Sequence, residues 1–133
     1  MAKRLSKALR GKRRWIGILV SSRYQTRSSL NGLISSITST FESKRPIKLM
    51  EFHSSEDDIA LAALEHLRTT TELTERDVGV AILQVPLEQA KGLRALIGTE
   101  EAIRTMEIKC ITTSGKIRLV RERMALPKPA RKR

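Results

Sequence analysis

Arginine and lysine side chains at the two ends of the chain are the residues whose types and spacing best fit a chemical role. Residues 1–14 hold seven cations and no acid, and residues 116–133 hold eight cations against Glu122 alone. Arginine guanidinium groups are planar and donate paired hydrogen bonds that match phosphate oxygens. Two such clusters predict attraction of a polyanion by long-range steering and by counterion release.

The cations nearest to predicted regular structure are the ones we expect to contact phosphates. They precede the first predicted strand or lie on the last predicted helix, whose N-terminus would add exposed backbone N–H groups. The predicted RNA-binding residues are Arg10, Lys12, Arg13, Arg14, Ser114, Gly115, Lys116, Arg118, Arg121 and Arg123. The alternatives are a solvated surface for the helix cations and solubilising tails for the two ends.

The charge pattern favours nucleic acid over a membrane surface as the polyanion. The net charge is +12 over 133 residues, and the segment between the clusters is close to neutral. A peripheral membrane helix needs a broad apolar face, which neither end has, and no stretch reaches the roughly 20 apolar residues of a membrane span. The N-terminus lacks the apolar core of a secretory signal, and the single cysteine, Cys110, fits a reducing compartment. We therefore expect a cytoplasmic protein.

An independent enzyme is the rival class of function. His53 lies close to Glu51 and Asp57, which offers a base and carboxylates, but no matched nucleophile accompanies them and His66 is too distant for ligand spacing. The segment 113–116 lacks the glycines of a phosphate-binding loop. We expect no catalytic residue and no metal or cofactor bound by the protein.

The first half of the chain predicts two strands and two helices. Residues 15–21 and 47–52 alternate in the manner of strands. Serines 28 and 29 can cap a helix with one apolar stripe, and acids near residue 57 can cap a second helix over about 56–68. The stripe of the first helix comprises Leu30, Leu33, Ile34, Ile37 and Phe41.

The second half predicts two more strands and two more helices. Residues 78–85 are apolar on both faces and predict a central strand, and Pro86 introduces a helix over 87–97 that ends at Gly98. Residues 106–112 return to strand alternation, and Ser114 can cap a last basic helix.

This order of elements predicts an α+β fold, a four-stranded, mainly antiparallel sheet with helices packed on one face. That is the ferredoxin-like, or RNA-recognition-like, sandwich. We expect one RNA-binding domain over 1–126 with a basic arm, 1–14, followed by a disordered basic tail, 127–133.

Two stretches resemble ribonuclease P protein component 2, the archaeal homologue of a subunit of eukaryotic ribonuclease P and of its relative that processes ribosomal RNA. Residues 5–15 (LSKALRGKRRW) resemble the family's opening, a leucine, a Leu-Arg pair and a basic run that ends in an aromatic. Residues 108–118 (IKCITTSGKIR) resemble its closing strand and Ser-Gly-x-Ile-Arg motif. Lys116 stands where the family usually has threonine, and segment 54–77 is long.

The resemblance implies a non-catalytic subunit of the ribonucleoprotein that removes the 5′ leader from precursor tRNA. In that family the RNA and its bound Mg²⁺ ions carry the chemistry. The implied partners are ribonuclease P RNA, protein component 3, other ribonuclease P subunits, precursor tRNA in the holoenzyme, and a second copy of the chain within a heterotetramer. The protein would neutralise phosphate repulsion around the catalytic RNA.

A ribosome-associated protein or a general RNA chaperone would show the same charge pattern. Aromatic residues are few, so we expect recognition of RNA backbone and shape rather than of sequence. Whether Trp15 and Tyr24 stack on RNA stays open at this point.

Overall fold

The computed structural model describes residues 13–39, 47–71, 73, 75 and 77–127. Its strands are β1 (Arg13–Val20), β2 (Lys48–His53), β3 (Gly79–Pro86) and β4 (Ile108–Ser114). Its helices are α1 (Arg27–Thr38), α2 (Asp58–Thr70), α3 (Leu87–Ile97), the short α4 (Ala102–Thr105) and α5 (Ile117–Arg123).

The four strands form one sheet in the order β2-β3-β1-β4, and every neighbouring pair is antiparallel. This arrangement confirms the predicted α+β class and the ferredoxin-like strand order. β1 and β3 are the central strands and pair along their whole length, from Arg13 opposite Pro86 to Val20 opposite Gly79. β1 is buried from Ile16 onwards, and β3 is buried except for the half-buried Gln84, as expected for internal strands covered on two sides.

One face of the sheet packs against α1 and α3, the helices that connect β1 to β2 and β3 towards β4. Alternate residues of β1, beginning at Ile16, enter this core together with Leu83 of β3. Leu30 of α1 and Leu93 of α3 pack on them and are fully buried. These helices lie on one face, as predicted.

The other face is also covered, which corrects the expectation that all helices pack on one side. Leu19 and Ile82 project from the sheet into a second core that includes Leu64 of α2 and Val120 of α5. The sequence explains this second layer, because β1 and β3 are apolar on both faces and each face must be kept from water.

The helix caps differ in part from the prediction. Thr26, rather than either serine, caps α1, because its side chain accepts the backbone N–H of Ser29 at 3.2 Å. Asp57 caps α2 by accepting the N–H of Ile59 at 2.8 Å, which agrees with the predicted acidic start. α2 then continues to Thr70, slightly beyond the predicted end near residue 68.

Candidate nucleic-acid interface

The pairing of β1 with β4 brings two distant basic segments to one corner of the sheet. Because the strands are antiparallel, the start of β1 lies beside the end of β4, with Trp15 opposite Ser114. Arg13 and Arg14 open β1, and Lys116 follows β4 after one glycine. Parts of both family-like motifs therefore meet at this place, which we call the basic corner (Arg13, Arg14 and 114–118).

Arg14 illustrates how closely the two segments approach each other. Its Nη1 atom lies 3.4 Å from where a Cβ atom would stand on Gly115, and it donates a 3.3 Å hydrogen bond to the carbonyl of Arg13. The Arg14 guanidinium is thus held beside the turn after β4, with donors left over for another acceptor.

Ser114 and Gly115 do not form the helix N-terminus that the sequence suggested. Ser114 is the last residue of β4, and α5 begins only at Ile117 and is seven residues long. Instead, the Ser114 hydroxyl accepts the backbone N–H of Lys116 at 3.1 Å. The pair therefore shapes a tight turn that fixes the position of Lys116.

Three of the predicted cations at the corner are exposed to solvent. Within the part of the chain that the structure describes, the side chains of Arg13, Lys116 and Arg118 form no hydrogen bond or ion pair. Uncompensated cations grouped at one corner make a positive potential that suits phosphate groups.

Arg121 was predicted to bind RNA, but its guanidinium is engaged within the protein. Its Nε and Nη2 atoms each lie 3.0 Å from Oε1 of Glu51 on β2, and its side chain is only 20% exposed. Sequence reasoning did not foresee this partner, because residues 51 and 121 meet only through the tertiary packing of α5 across the sheet. Arg121 is therefore a structural cation rather than a free phosphate ligand.

Arg123 combines features of both groups, because it is exposed like Arg118 but hydrogen-bonded within the protein like Arg121. It is exposed, yet its Nη1 atom donates to the Thr112 hydroxyl at 3.0 Å and to the Thr113 carbonyl at 2.8 Å. These bonds tie the end of α5 to β4, and Nη2 and Nε remain for other acceptors.

Arg10 and Lys12 lie outside the described residues, as do the rest of the predicted arm up to residue 12 and the tail from residue 128.

His53 belongs to the ionic network around Glu51. Its Nε2 atom lies 2.8 Å from Oε2 of Glu51, and its Nδ1 atom lies 3.7 Å from Oδ2 of Asp57. Both ring nitrogens thus face carboxylates that also hold Arg121 and cap α2. No cluster of metal-ligating side chains occurs among the residues described, and the network joins β2, α2 and α5 mechanically.

The remaining candidate side chains, Trp15, Tyr24 and Cys110, pack or form hydrogen bonds within the protein. Trp15 is half-buried against the second core, whereas the hydroxyl of Tyr24 donates to Glu107. Cys110 packs at the edge of the first core, and burial raises the pKa of its thiol although Arg94 acts in the opposite direction. Because helices cover both faces, the sheet does not present a wide aromatic surface of the RNA-recognition type, and Trp15 is partly accessible to solvent at the end of the sheet.

No protein-family model matches the chain, and no curated protein matches it. Among the helices described, none is both long and apolar enough to cross a membrane.

Proposed function

We propose that the basic corner binds RNA phosphates and that the chain is a protein subunit of ribonuclease P in the cytoplasm. In this role it helps the catalytic RNA to remove the 5′ leader of precursor tRNA. The protein itself contributes no catalytic residue and no cofactor, and Mg²⁺ ions held by the RNA activate the attacking water.

The observation that carries the proposal is the meeting of the two basic segments at one end of the sheet. The β1–β4 pairing sets the end of the opening motif, residues 13–15, beside the closing motif, with Trp15 opposite Ser114. Arg13, Lys116 and Arg118 are exposed there. Phosphate contacts position a protein on RNA and raise affinity without reading sequence, which suits a subunit that stabilises the shape of a folded RNA.

The proposed partners follow from the same resemblance. They are ribonuclease P RNA, protein component 3 and other protein subunits, with precursor tRNA bound in the holoenzyme. Pairing with a second copy would give a heterotetramer with two copies of each of the two proteins. Neutralising phosphate repulsion at the basic corner would lower the Mg²⁺ concentration that the RNA needs to fold.

The test is leader removal from precursor tRNA by the cognate ribonuclease P RNA at moderate Mg²⁺. Reactions contain protein component 3 with or without this chain. Stimulation that requires both proteins and the RNA is the expected result, and Arg13→Gln with Arg118→Gln should reduce it. If the double variant Arg13→Gln, Arg118→Gln stimulated leader removal as strongly as the original chain, the proposed role of the basic corner would be contradicted.

The same assay distinguishes the other classes of function. Intact RNA binding without stimulation would favour a ribosome-associated protein or a general RNA chaperone, and association with ribosomal subunits would separate those two. Cleavage of precursor tRNA by the chain without added ribonuclease P RNA would instead indicate an independent nuclease.

A further inference from the structure

The register of the sheet places one residue from each strand in a single row next to the basic corner. Lys48 of β2 is opposite Gln84 of β3, which is opposite Trp15 of β1, which is opposite Ser114 of β4. Directly opposed residues of antiparallel strands project from the same face. Since neighbouring strands lie about 4.8 Å apart, this cross-strand row (Lys48, Gln84, Trp15 and Ser114) is roughly 14 Å long.

Solvent reaches the whole of this row. Lys48 is exposed, and the other three residues are half-buried. The row belongs to the face that α2 and α5 cover, and Trp15 and Ile117 of α5 both pack against that core. The row therefore lies at the rim of the covered face and ends at Ser114, inside the basic corner.

The four side chains carry complementary chemistry and no negative charge. Lys48 is a cation, and within the described chain its side chain forms no ion pair. The Gln84 amide can donate and accept hydrogen bonds, and Trp15 offers an indole ring beside it. A cationic surface that also carries an aromatic side chain is an arrangement by which proteins hold single-stranded nucleic acid.

We propose that the cross-strand row is a path for a single-stranded RNA segment that continues from the basic corner across the end of the sheet to the outer edge of β2. A base stacks on Trp15, Gln84 bonds to an adjacent base edge or ribose, and Lys48 binds a phosphate. A path of this length holds roughly two or three nucleotides. The inference rests on the proposed function in taking RNA as the ligand, and it adds the strandedness and the route.

The chain contains one tryptophan, so its tryptophan fluorescence reports on the surroundings of Trp15. The experiment titrates the full chain with a single-stranded oligouridylate of about eight nucleotides and with a duplex RNA of equal length, at fixed low salt. Stacking on Trp15 predicts quenching by the single strand and little change with the duplex. Labelled oligouridylate provides an independent affinity by fluorescence anisotropy.

Two variants test the path from its two ends. Lys48→Gln removes an exposed cation from an edge strand and should weaken oligouridylate binding about fivefold, with a smaller salt dependence. Trp15→Leu should weaken it about fivefold or more, and Trp15→Phe should restore part of the affinity by retaining a ring. Lys91→Gln is the matched control, because Lys91 is an exposed lysine on α3, which covers the opposite face.

Unchanged oligouridylate affinity in Lys48→Gln, together with absence of quenching, overturns the path. If variants of Arg13 and Arg118 still lose RNA affinity in that case, the proposed phosphate binding survives. Equal quenching by the duplex, or by a polyglutamate peptide, also overturns the single-stranded RNA path. Quenching with sensitivity to Lys48→Gln supports the path, even where the chain fails to stimulate leader removal and the ribonuclease P assignment falls.

Discussion

Arg121 of α5 directs two guanidinium nitrogens, Nε and Nη2, at the same oxygen of Glu51, each at a distance of 3.0 Å. The other oxygen of Glu51 lies 2.8 Å from His53 Nε2. The side chains of Glu51 and Arg121 are 18% and 20% exposed, so this pair is shielded more than a surface ion pair. The contact anchors the helix that carries Arg118 to the edge strand β2, which gives neighbouring cations of α5 different roles.

Substitution by glutamine should therefore affect different properties at the two positions: protein stability at Arg121 and RNA binding at Arg118. Arg121→Gln leaves Glu51 without its cationic partner and is expected to lower the free energy of unfolding by about 1–3 kcal/mol. Arg118→Gln should change that free energy by no more than about 0.5 kcal/mol, because Arg118 is exposed, yet it should weaken RNA binding. Urea denaturation and RNA titration of both variants measure the two effects.

The double variant Arg121→Gln, Glu51→Gln supplies the control for this comparison. If the two residues act as a pair, the double variant should lose less stability than the sum of the single variants. Additive losses would contradict the pairing of Arg121 with Glu51. An Arg121→Gln variant with full stability and reduced RNA affinity would return Arg121 to the RNA-binding set.

The salt dependence of RNA affinity should identify which cations contact phosphate. Substituting Arg13, Lys116 or Arg118 by glutamine is expected to reduce the slope of log K against log salt by about 0.7–0.9 for each lost contact. The effect should be similar for RNAs of different sequence, because phosphate contacts carry no base information. Titrations at several salt concentrations measure the slope.

Lys91→Gln is again the matched control, since it removes one exposed positive charge from α3 rather than from the corner. An equal fall in slope for Lys91→Gln and Lys116→Gln would mean that net charge, and no particular corner, governs binding.

The order of strands and helices along the chain and the two basic clusters could be predicted from the sequence, because both depend on local patterns. Strand alternation marked β1, an apolar run marked β3, and the clustered cations marked the two ends, whereas the β1–β4 pairing that brings basic residues together became visible only in the sheet. The engagement of Arg121 could not be predicted, since Glu51 meets it only after α5 crosses the sheet. Lys48 could not be predicted as an RNA-binding residue for a related reason, because only the strand register places it in a row with Trp15.

The helix start at Ile117 shows the limit of capping rules. Ser114 is a good N-cap type, but cross-strand pairing with Trp15 keeps it in β4. Tertiary hydrogen bonding thus overrode a local preference, and the N-cap moved two residues along the chain, from Ser114 to Lys116.

Gly17 should be essential for the docking of α5. A Cβ atom at this position would overlap Sδ of Met124, the residue that follows α5, and would stand 3.0 Å from Cγ1 of Val120 on α5. Gly17→Ala is therefore expected to lower the free energy of unfolding by about 1–3 kcal/mol, measured by urea denaturation. RNA affinity should fall as well, because a displaced α5 moves Arg118 away from the corner.

Met124→Ala tests the mechanism, because it removes the atom nearest to the added methyl group. The single variant creates a cavity and loses stability, but the cost of Gly17→Ala should be smaller in its presence. A Gly17→Ala penalty that Met124→Ala leaves unchanged would show that steric contact with Met124 is not the cause.

The hydrogen bond between Tyr24 and Glu107 should make stability depend on acid pH. The Tyr24 hydroxyl is the main cause that lowers the pKa of the Glu107 carboxyl, with a further contribution from Arg23 and an opposing one from burial. A carboxyl with a lowered pKa in the folded state stabilises the fold above its unfolded-state pKa. That stabilisation is lost as the pH falls through the folded-state pKa. Tyr24→Phe removes the hydroxyl, so the original chain should be more stable than this variant by about 1 kcal/mol at pH 7.

Urea denaturation between neutral and acid pH checks the sign of this effect. The stability difference between the original chain and Tyr24→Phe should shrink as the pH falls and Glu107 becomes protonated in both proteins. Arg23→Gln is a useful comparison, because the exposed arginine should contribute less than the hydroxyl. Because Glu107 also accepts the backbone N–H of Ser21 through its own carbonyl at 2.8 Å, the turn should persist in both variants. A difference that stayed constant down to acid pH would mean that the ring packing of Tyr24, rather than its bond to a charged Glu107, stabilises this end of the sheet.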